Sequence, residues 1–239
     1  LGWRLALSTL DTVGLTLTKA DGKSYKSKTL PPSGNDLYFK DQKLQDFRVH
    51  KVDDKNFTVI NKNGTIEHLF RPSSSNVAKI IALEFPNGEA FEFSYGKLID
   101  GEQYLTEVTH RQTGTTHLTL NYNGSQCTSF EYPEDNGITA KIAMRYSNDY
   151  LIAVTVPYDN TKEPSTPDEY AKFAIDYDML QDAFPVITTF RTPAASVETV
   201  SYVSEGHHAT DDFLIPYAAV HKTFPGNGQP AITKKYEYS

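Results

Sequence analysis

Two groups of residues in this 239-residue chain are of types that could do chemistry. His207-His208, Asp211-Asp212 and His221 gather imidazoles and carboxylates of the kind that hold zinc, and Asp53-Asp54 and Asp211-Asp212 pair carboxylates as glycoside hydrolysis requires. The spacing argues against both readings. Adjacent histidines on a strand point to opposite faces, and no interval here brings two ligands together as a zinc motif does. Carboxylates that are sequence neighbours rarely face each other across a substrate, and turn chemistry accounts for both acidic pairs. No Gly-x-Ser-x-Gly elbow, phosphate-binding glycine loop or Cys-His pairing signal occurs. Cys127 stands alone, which excludes an internal disulfide and a cysteine-based metal site, and it reads as a small core residue. The expected catalytic, cofactor-binding and metal-ligating sets are each none, with no cofactor, and the chain is expected not to be an enzyme.

A third group is more telling. Phe91-Glu92-Phe93-Ser94-Tyr95 alternates bulky and polar residues and ends on a tyrosine, and the pattern returns at Leu118–Tyr122, Ile142–Tyr146, Phe173–Tyr177, more weakly at Glu198–Tyr202, and at Ile232–Tyr236 with Tyr238 beyond it. The tyrosines lie 27, 24, 31, 25 and 34 residues apart. A row of aromatics on one sheet face could stack on sugar rings, or it could be a ladder packed between hairpins. Phe91, Phe93, Leu118, Leu120, Ile142, Met144, Phe173 and Ile175 share the tyrosine face, and a face that apolar is normally core. Packing is the favoured reading, and sugar stacking is kept as the alternative.

The elements that must position these tyrosines are strands. Period-2 alternation runs through Trp3, Leu5 and Leu7, then Val13, Leu15 and Leu17, with a hairpin turn at Asp21-Gly22 and a return strand from Tyr25. Thr29–Asp36 reads as a loop. Leu37–Phe39, Phe47–Val52, Phe57–Ile60 and Thr65–Phe70 read as strands, the last two joined at Asn63-Gly64. Arg71–Asn76 is the best place for an internal boundary and is short enough to be a loop. Beyond it each unit is an apolar strand, a turn and a tyrosine-ended strand. The first strand stops at Pro86-Asn87-Gly88, Pro133, Pro157, Pro193 or Pro225, or turns at Gly114. Thr166-Pro167-Asp168-Glu169 could cap one helical turn before Tyr170. The expected fold class is therefore all-β: an antiparallel meander of successive hairpins forming a large curved or spiral sheet, with little or no helix. It is read as a single region over 1–239, with an N-terminal meander over 1–70 and irregular hairpin repeats of about 24–34 residues over 77–239.

Composition agrees. Tyr (15) and Phe (13) are plentiful and suit a pleated, half-buried surface, whereas Met (2) and Trp (1) are scarce. A net charge of −7, without long blocks of one sign, attracts neither a phosphate backbone nor an anionic membrane. Nucleic acid is excluded as a partner, and no window approaches the roughly 18 apolar residues that open a membrane-helix reading. The chain starts at Leu1-Gly2-Trp3, as expected of a processed product or a piece of something longer. An array cut from its neighbours would leave a sheet edge exposed, so weak self-association is expected.

The hairpin grammar resembles the Rhs or YD-repeat family, whose repeats are β-hairpins ending near a Tyr-Asp pair. Tyr177-Asp178 is the literal pair, and Tyr122-Asn123-Gly124, Tyr95-Gly96-Lys97-Leu98 and Tyr146-Ser147-Asn148-Asp149 are degenerate copies. The family's glycine-arginine-leucine continuation and its aspartate-proline self-cleavage motif are missing. Leu1-Gly2-Trp3-Arg4-Leu5 resembles the glycine-tryptophan entry to the repeats, and Gly206-His207, Ile215-Pro216-Tyr217 and His221 resemble an interruption inside the array. The resemblance implies a non-catalytic scaffold segment of a larger protein, part of a β-shell that encloses or presents a toxin or effector domain. It implies bacterial secretion or surface display, and a partner that is the rest of the parent polypeptide or an enclosed effector. A carbohydrate-binding or cell-surface recognition module, with glycan as partner, is the alternative.

Overall fold

The computed structural model describes residues 6–27, 36–40, 46–99, 101–134, 137–157, 170–180, 184–210, 213–226 and 228–237. The fold is all-β. Among the described residues there are 21 strands and no helix, every ladder is antiparallel, and nearly all ladders join strands that follow each other in sequence. Nineteen strands belong to the large meander sheet. The glycine-entry motif at Leu1–Leu5, most of the Thr29–Asp36 loop and the helical turn at Thr166–Glu169 lie outside the described residues.

Contacts within the chain divide it into two compact units, one of Trp3–Ser125 with Phe130–Asp135, the other of Leu1–Gly2, Gln126–Ser129 and Asn136–Ser239. In the first, β1 (Thr9–Asp11), β2 (Thr16–Thr18) and β3 (Ser24–Lys26) precede β4 (Asp36–Leu37), β5 (Phe47–Lys51), β6 (Asn56–Asn61), β7 (Ile66–Phe70) and β8 (Val77–Glu84). Pairings run β3–β2–β1–β8–β7–β6–β5–β4, and the bridge Ser27↔Phe39 links the two ends into a ring. Alternation puts Leu10, Leu17, Val49, Phe57, Val59 and Leu69 on the inner face, where they form a buried cluster with Phe39, Phe47 and Ile80. Phe39, Phe47 and Tyr25 meet edge-on or tilted, with ring centroids 4.8 to 6.4 Å apart. Beyond the ring, β9 (Ala90–Ser94) pairs with β8 and with β12 (Glu107–His110), which pairs with β13 (Thr116–Asn123). Between β9 and β12, β10 (Lys97–Ile99) and β11 (Glu102–Tyr104) make a separate ribbon.

The turns form where the residues allow them. Hairpins close at Asp21-Gly22, Asn63-Gly64 and Pro86-Asn87-Gly88, each with its glycine at positive φ. Arg71–Asn76 connects the paired strands β7 and β8. One stretch departs from its pattern: Val13 continues the alternation of Leu15 and Leu17, yet it is 71 % exposed in the turn between β1 and β2. The Asp11 carboxylate accepts the backbone N–H of Val13 (2.9 Å) and of Gly14 (3.0 Å), so an Asx turn interrupts the strand.

The second unit is a run of longer hairpins: β15 (Thr139–Ser147), β16 (Tyr150–Pro157), β17 (Tyr170–Leu180), β18 (Phe184–Arg191), β19 (Val197–Thr210), β20 (Phe213–Phe224) and β21 (Ile232–Lys235), each paired with the next. Prolines end pairing as expected. β14 (Gln126–Pro133), whose first residues belong to this unit, stops at Pro133, β16 stops at Pro157, β18 one residue before Thr192-Pro193, and β20 just before Pro225. Few of its described side chains are fully buried: Ala140, Met144 and Ala153, with Cys127 and Ser129 from β14.

Candidate functional site

Five of the six described repeat tyrosines share one contact. Tyr95 donates its hydroxyl to the Ile80 carbonyl (2.9 Å), Tyr122 to Leu105 (2.7 Å), Tyr146 to Cys127 (2.9 Å), Tyr177 to Leu151 (3.0 Å) and Tyr202 to Ile187 (2.9 Å). Each acceptor lies on or beside the preceding strand, at the open end of the hairpin and away from its tip. In three cases a bulge explains the acceptor. β8 leaves Ile81 unpaired against β7, β16 leaves Ile152 unpaired against β15, and β18 leaves Thr188 unpaired against β17. An extra residue throws the backbone ladder out of phase. The carbonyl just before it, at Ile80, Leu151 and Ile187, is the one that receives the tyrosine.

In three cases the residue preceding the acceptor lies against the tyrosine ring. Lys79 Nζ stands 5.9 Å from the Tyr95 ring centre, Tyr104 packs on Tyr122 at 5.5 Å, and Tyr150 packs on Tyr177 at 5.3 Å. All five tyrosines are half-buried. Burial pushes the hydroxyls of Tyr95, Tyr177 and Tyr202 above the usual phenol range, so they remain neutral donors. Tyr236 differs: its ring is 41 % exposed, and its backbone N–H rather than its side chain bonds β20, at Ala219. Tyr238 lies outside the described residues.

The other candidates separate. In Asp53-Asp54, the Asp53 carboxylate caps the β5–β6 turn through the N–H groups of Lys55 and Asn56, and Asp54 pairs with Lys51 at 2.7 Å. Backbone hydrogen bonds from the turn hold Asp53 below the usual carboxylate range, and the Lys51 hydrogen bond does the same for Asp54. Neither faces a cleft with the other. His221 Nε2 is 3.1 Å from Glu198 Oε2, on the part of the β19–β20 ladder where His221 opposes Val200; the backbone of His207 is paired further along, with Ile215. Asp211 and Asp212 lie outside the described residues. Among the described residues, no three metal-ligating side chains cluster. Cys127 is buried, its thiol 3.4 Å from the Ser129 carbonyl.

One concavity lies entirely within the second unit. A groove of about 540 Å3 is lined by Arg145, Ser147, Asn148 and Tyr150 at the β15–β16 hairpin and by Lys172, Asp176, Tyr177, Asp178 and Met179 of β17. The register explains its depth: Arg145 opposes Ala153, which opposes Ala174, which opposes Arg191, so two small residues lie between two long ones. Asn148 and Asp149 both take positive φ (47° and 66°), the backbone of a two-residue hairpin whose twist matches its strands. Gln126 holds Asp149 at 2.7 Å, while Arg191 pairs with Asp176. Ser147-Asn148 and Tyr177-Asp178 stood out in the sequence as repeat ends, but the groove they share did not, because a row of small residues on adjacent strands becomes visible only once the strands are in register. The Asn148-Asp149 turn was the available signal. No protein-family model matches the chain, and no curated protein matches it.

Proposed function

We propose that the chain is a non-catalytic structural scaffold, a β-wall segment of a larger Rhs/YD-repeat-like protein that encloses or presents a toxin or effector domain at or beyond a bacterial cell surface. The supporting observation is the repeated tyrosine tie. Each described repeat tyrosine from Tyr95 to Tyr202 commits its hydroxyl to the backbone of the neighbouring strand. A donor used in this way fixes register between the two strands of its hairpin and is not held out to a ligand. The scaffold partner is the remainder of the parent polypeptide. Among the described residues, turn-capping carboxylates and histidines offer no nucleophile paired with a base, which supports a non-catalytic role.

The test uses the full-length gene product and limited proteolysis. A domain attached to the wall should resist cleavage in the native protein and become sensitive when Tyr177→Ala and Tyr202→Ala together loosen the ties. A product no longer than this chain, or an attached domain cleaved equally in both proteins, overturns the scaffold reading.

A further inference from the structure

We infer that the groove of the second unit is a binding site for an acidic oligosaccharide, a chain carrying uronic-acid carboxylates. The inference is independent of the scaffold role and of the tyrosine row, since it rests on polar groups that the fold leaves uncommitted. Turn and strand asparagines elsewhere are engaged: Asn56, Asn61, Asn63 and Asn87 all make hydrogen bonds within their turns or strands. At the groove, Arg145, Asn148, Tyr150 and Lys172 have no side-chain hydrogen bond or ion pair among the described residues. Four uncommitted polar side chains around one concavity are the arrangement by which a pocket fixes the orientation of a polar ligand.

The sign of the ligand follows from which charges are spent. Asp176 is paired with Arg191, and Asp178 keeps its charge while accepting the backbone N–H of Met179 at 2.8 Å, so the two cations of the lining outnumber the one unpaired carboxylate. The cations Arg145 and Lys172 are free, so a carboxylate on the ligand gains a charge-assisted partner, and the guanidinium can grip it with two parallel N–H bonds. The aromatic component is supplied by Tyr150, whose ring is fixed against Tyr177 at 5.3 Å while Tyr177 itself is tied to Leu151. A ring held from behind offers an apolar face for the C–H side of a sugar at little cost in side-chain ordering, and the phenol oxygen is available to a sugar hydroxyl. Asn148, held at the rim by the left-handed turn, adds an amide that can both donate and accept. A groove of about 540 Å3 lies within the range of small-molecule sites and suits a few sugar residues.

Titration calorimetry of the wild-type chain with pentagalacturonate, with cellopentaose as the neutral probe, tests the assignment. The expected result is binding of the uronate that weakens as salt is raised and is at least tenfold weaker for cellopentaose. Arg145→Ala and Tyr150→Ala should each weaken uronate binding about tenfold or more with unchanged strand dichroism, whereas Tyr150→Phe retains most of it. Asp53→Asn, in the other unit, leaves binding unchanged. No binding of pentagalacturonate by the wild type, equal binding of cellopentaose, or binding untouched by Arg145→Ala and Tyr150→Ala overturns the inference. Should a groove variant fold poorly, Arg145→Lys in its place must weaken binding while keeping the wild-type melting temperature.

Discussion

The two units solve the same problem, holding many strands in register, by different means. In the first, pairings from β1 to β8 return on themselves and enclose a dry cluster in which Leu10, Leu17, Val49, Phe57, Val59 and Leu69 are almost wholly hidden. In the second, longer hairpins follow one another, and most described apolar side chains are only half-buried. Burial at roughly 25 cal/mol per Å2 favours the first arrangement, and a slip of one residue there would expose its entire core face. The half-buried faces of the second arrangement specify register weakly. Its hydroxyl ties at Tyr146, Tyr177 and Tyr202 supply a directional contact that apolar burial lacks.

The largest expected effect separates the units by core truncation. Phe57→Ala, at a side chain 2 % exposed, should cost about 3–5 kcal/mol, read as a lower midpoint in urea for the first unit. A comparable loss from Ile187→Ala, at a 43 % exposed position, would erase the contrast. Next comes a buried ion pair of the first unit that carries a carboxamide with it: Lys19 Nζ lies 2.8 Å from Glu67 and 2.6 Å from Asn61, 5.5 Å from the Phe47 ring. Lys19→Met leaves a buried carboxylate uncompensated and should cost on the order of 3 kcal/mol at neutral pH.

Acid should act on the same pair. Burial alone would raise the Glu67 pKa, but hydrogen bonds from Lys19 and Asn61 outweigh it and bring the group below its ordinary 4.5. A depressed carboxylate stabilises the fold above its unfolded pKa, so this contribution is present above about pH 4.5 and is lost as pH falls further. Melting temperatures of wild type and Glu67→Gln should converge in acid; a gap that stays constant down to pH 3 would remove Glu67 from the account.

The ties are a smaller lever. Tyr177→Phe and Tyr202→Phe keep the ring and delete one hydrogen bond each, for a loss of about 1 kcal/mol apiece. Tyr95→Ala, which also removes the ring, should cost about 3 kcal/mol. If Tyr→Phe is silent at Tyr177 and Tyr202, half-buried packing alone holds the second unit in register. Smallest of all, Val13→Ser should change stability by less than about 0.5 kcal/mol, since the side chain stands in water at the Asx turn.

The strand pattern was legible because it depends on neighbours in sequence. Alternation located β5 to β9, Gly64 and Gly88 marked two of their turns and Gly22 the turn from β2 to β3, and the prolines marked where β14, β16, β18 and β20 stop. Val13 misled for a local reason: one carboxylate, Asp11, outcompeted the strand for two backbone donors. The tyrosine row was visible as a spacing, but its role depends on bulges at Ile81, Ile152 and Thr188, and a bulge is a relation between two strands that no single stretch displays. The same holds for the groove. Arg145, Ala153 and Ala174 are far apart in sequence, and nothing in their composition announces that they stand side by side.

The position of the ties within each hairpin sets what the architecture can absorb. Tyr95–Ile80, Tyr122–Leu105, Tyr146–Cys127, Tyr177–Leu151 and Tyr202–Ile187 span 15, 17, 19, 26 and 15 residues, yet each closes the mouth of its hairpin and takes no part in the tip. Lengthening a tip moves neither the donor nor the acceptor. Each hairpin is thus a cassette clasped at its mouth; where neighbouring tips touch, as Gln112 does by donating its amide to the Gly88 carbonyl, an insertion at Asn87-Gly88 disturbs the next tip before it reaches either clasp.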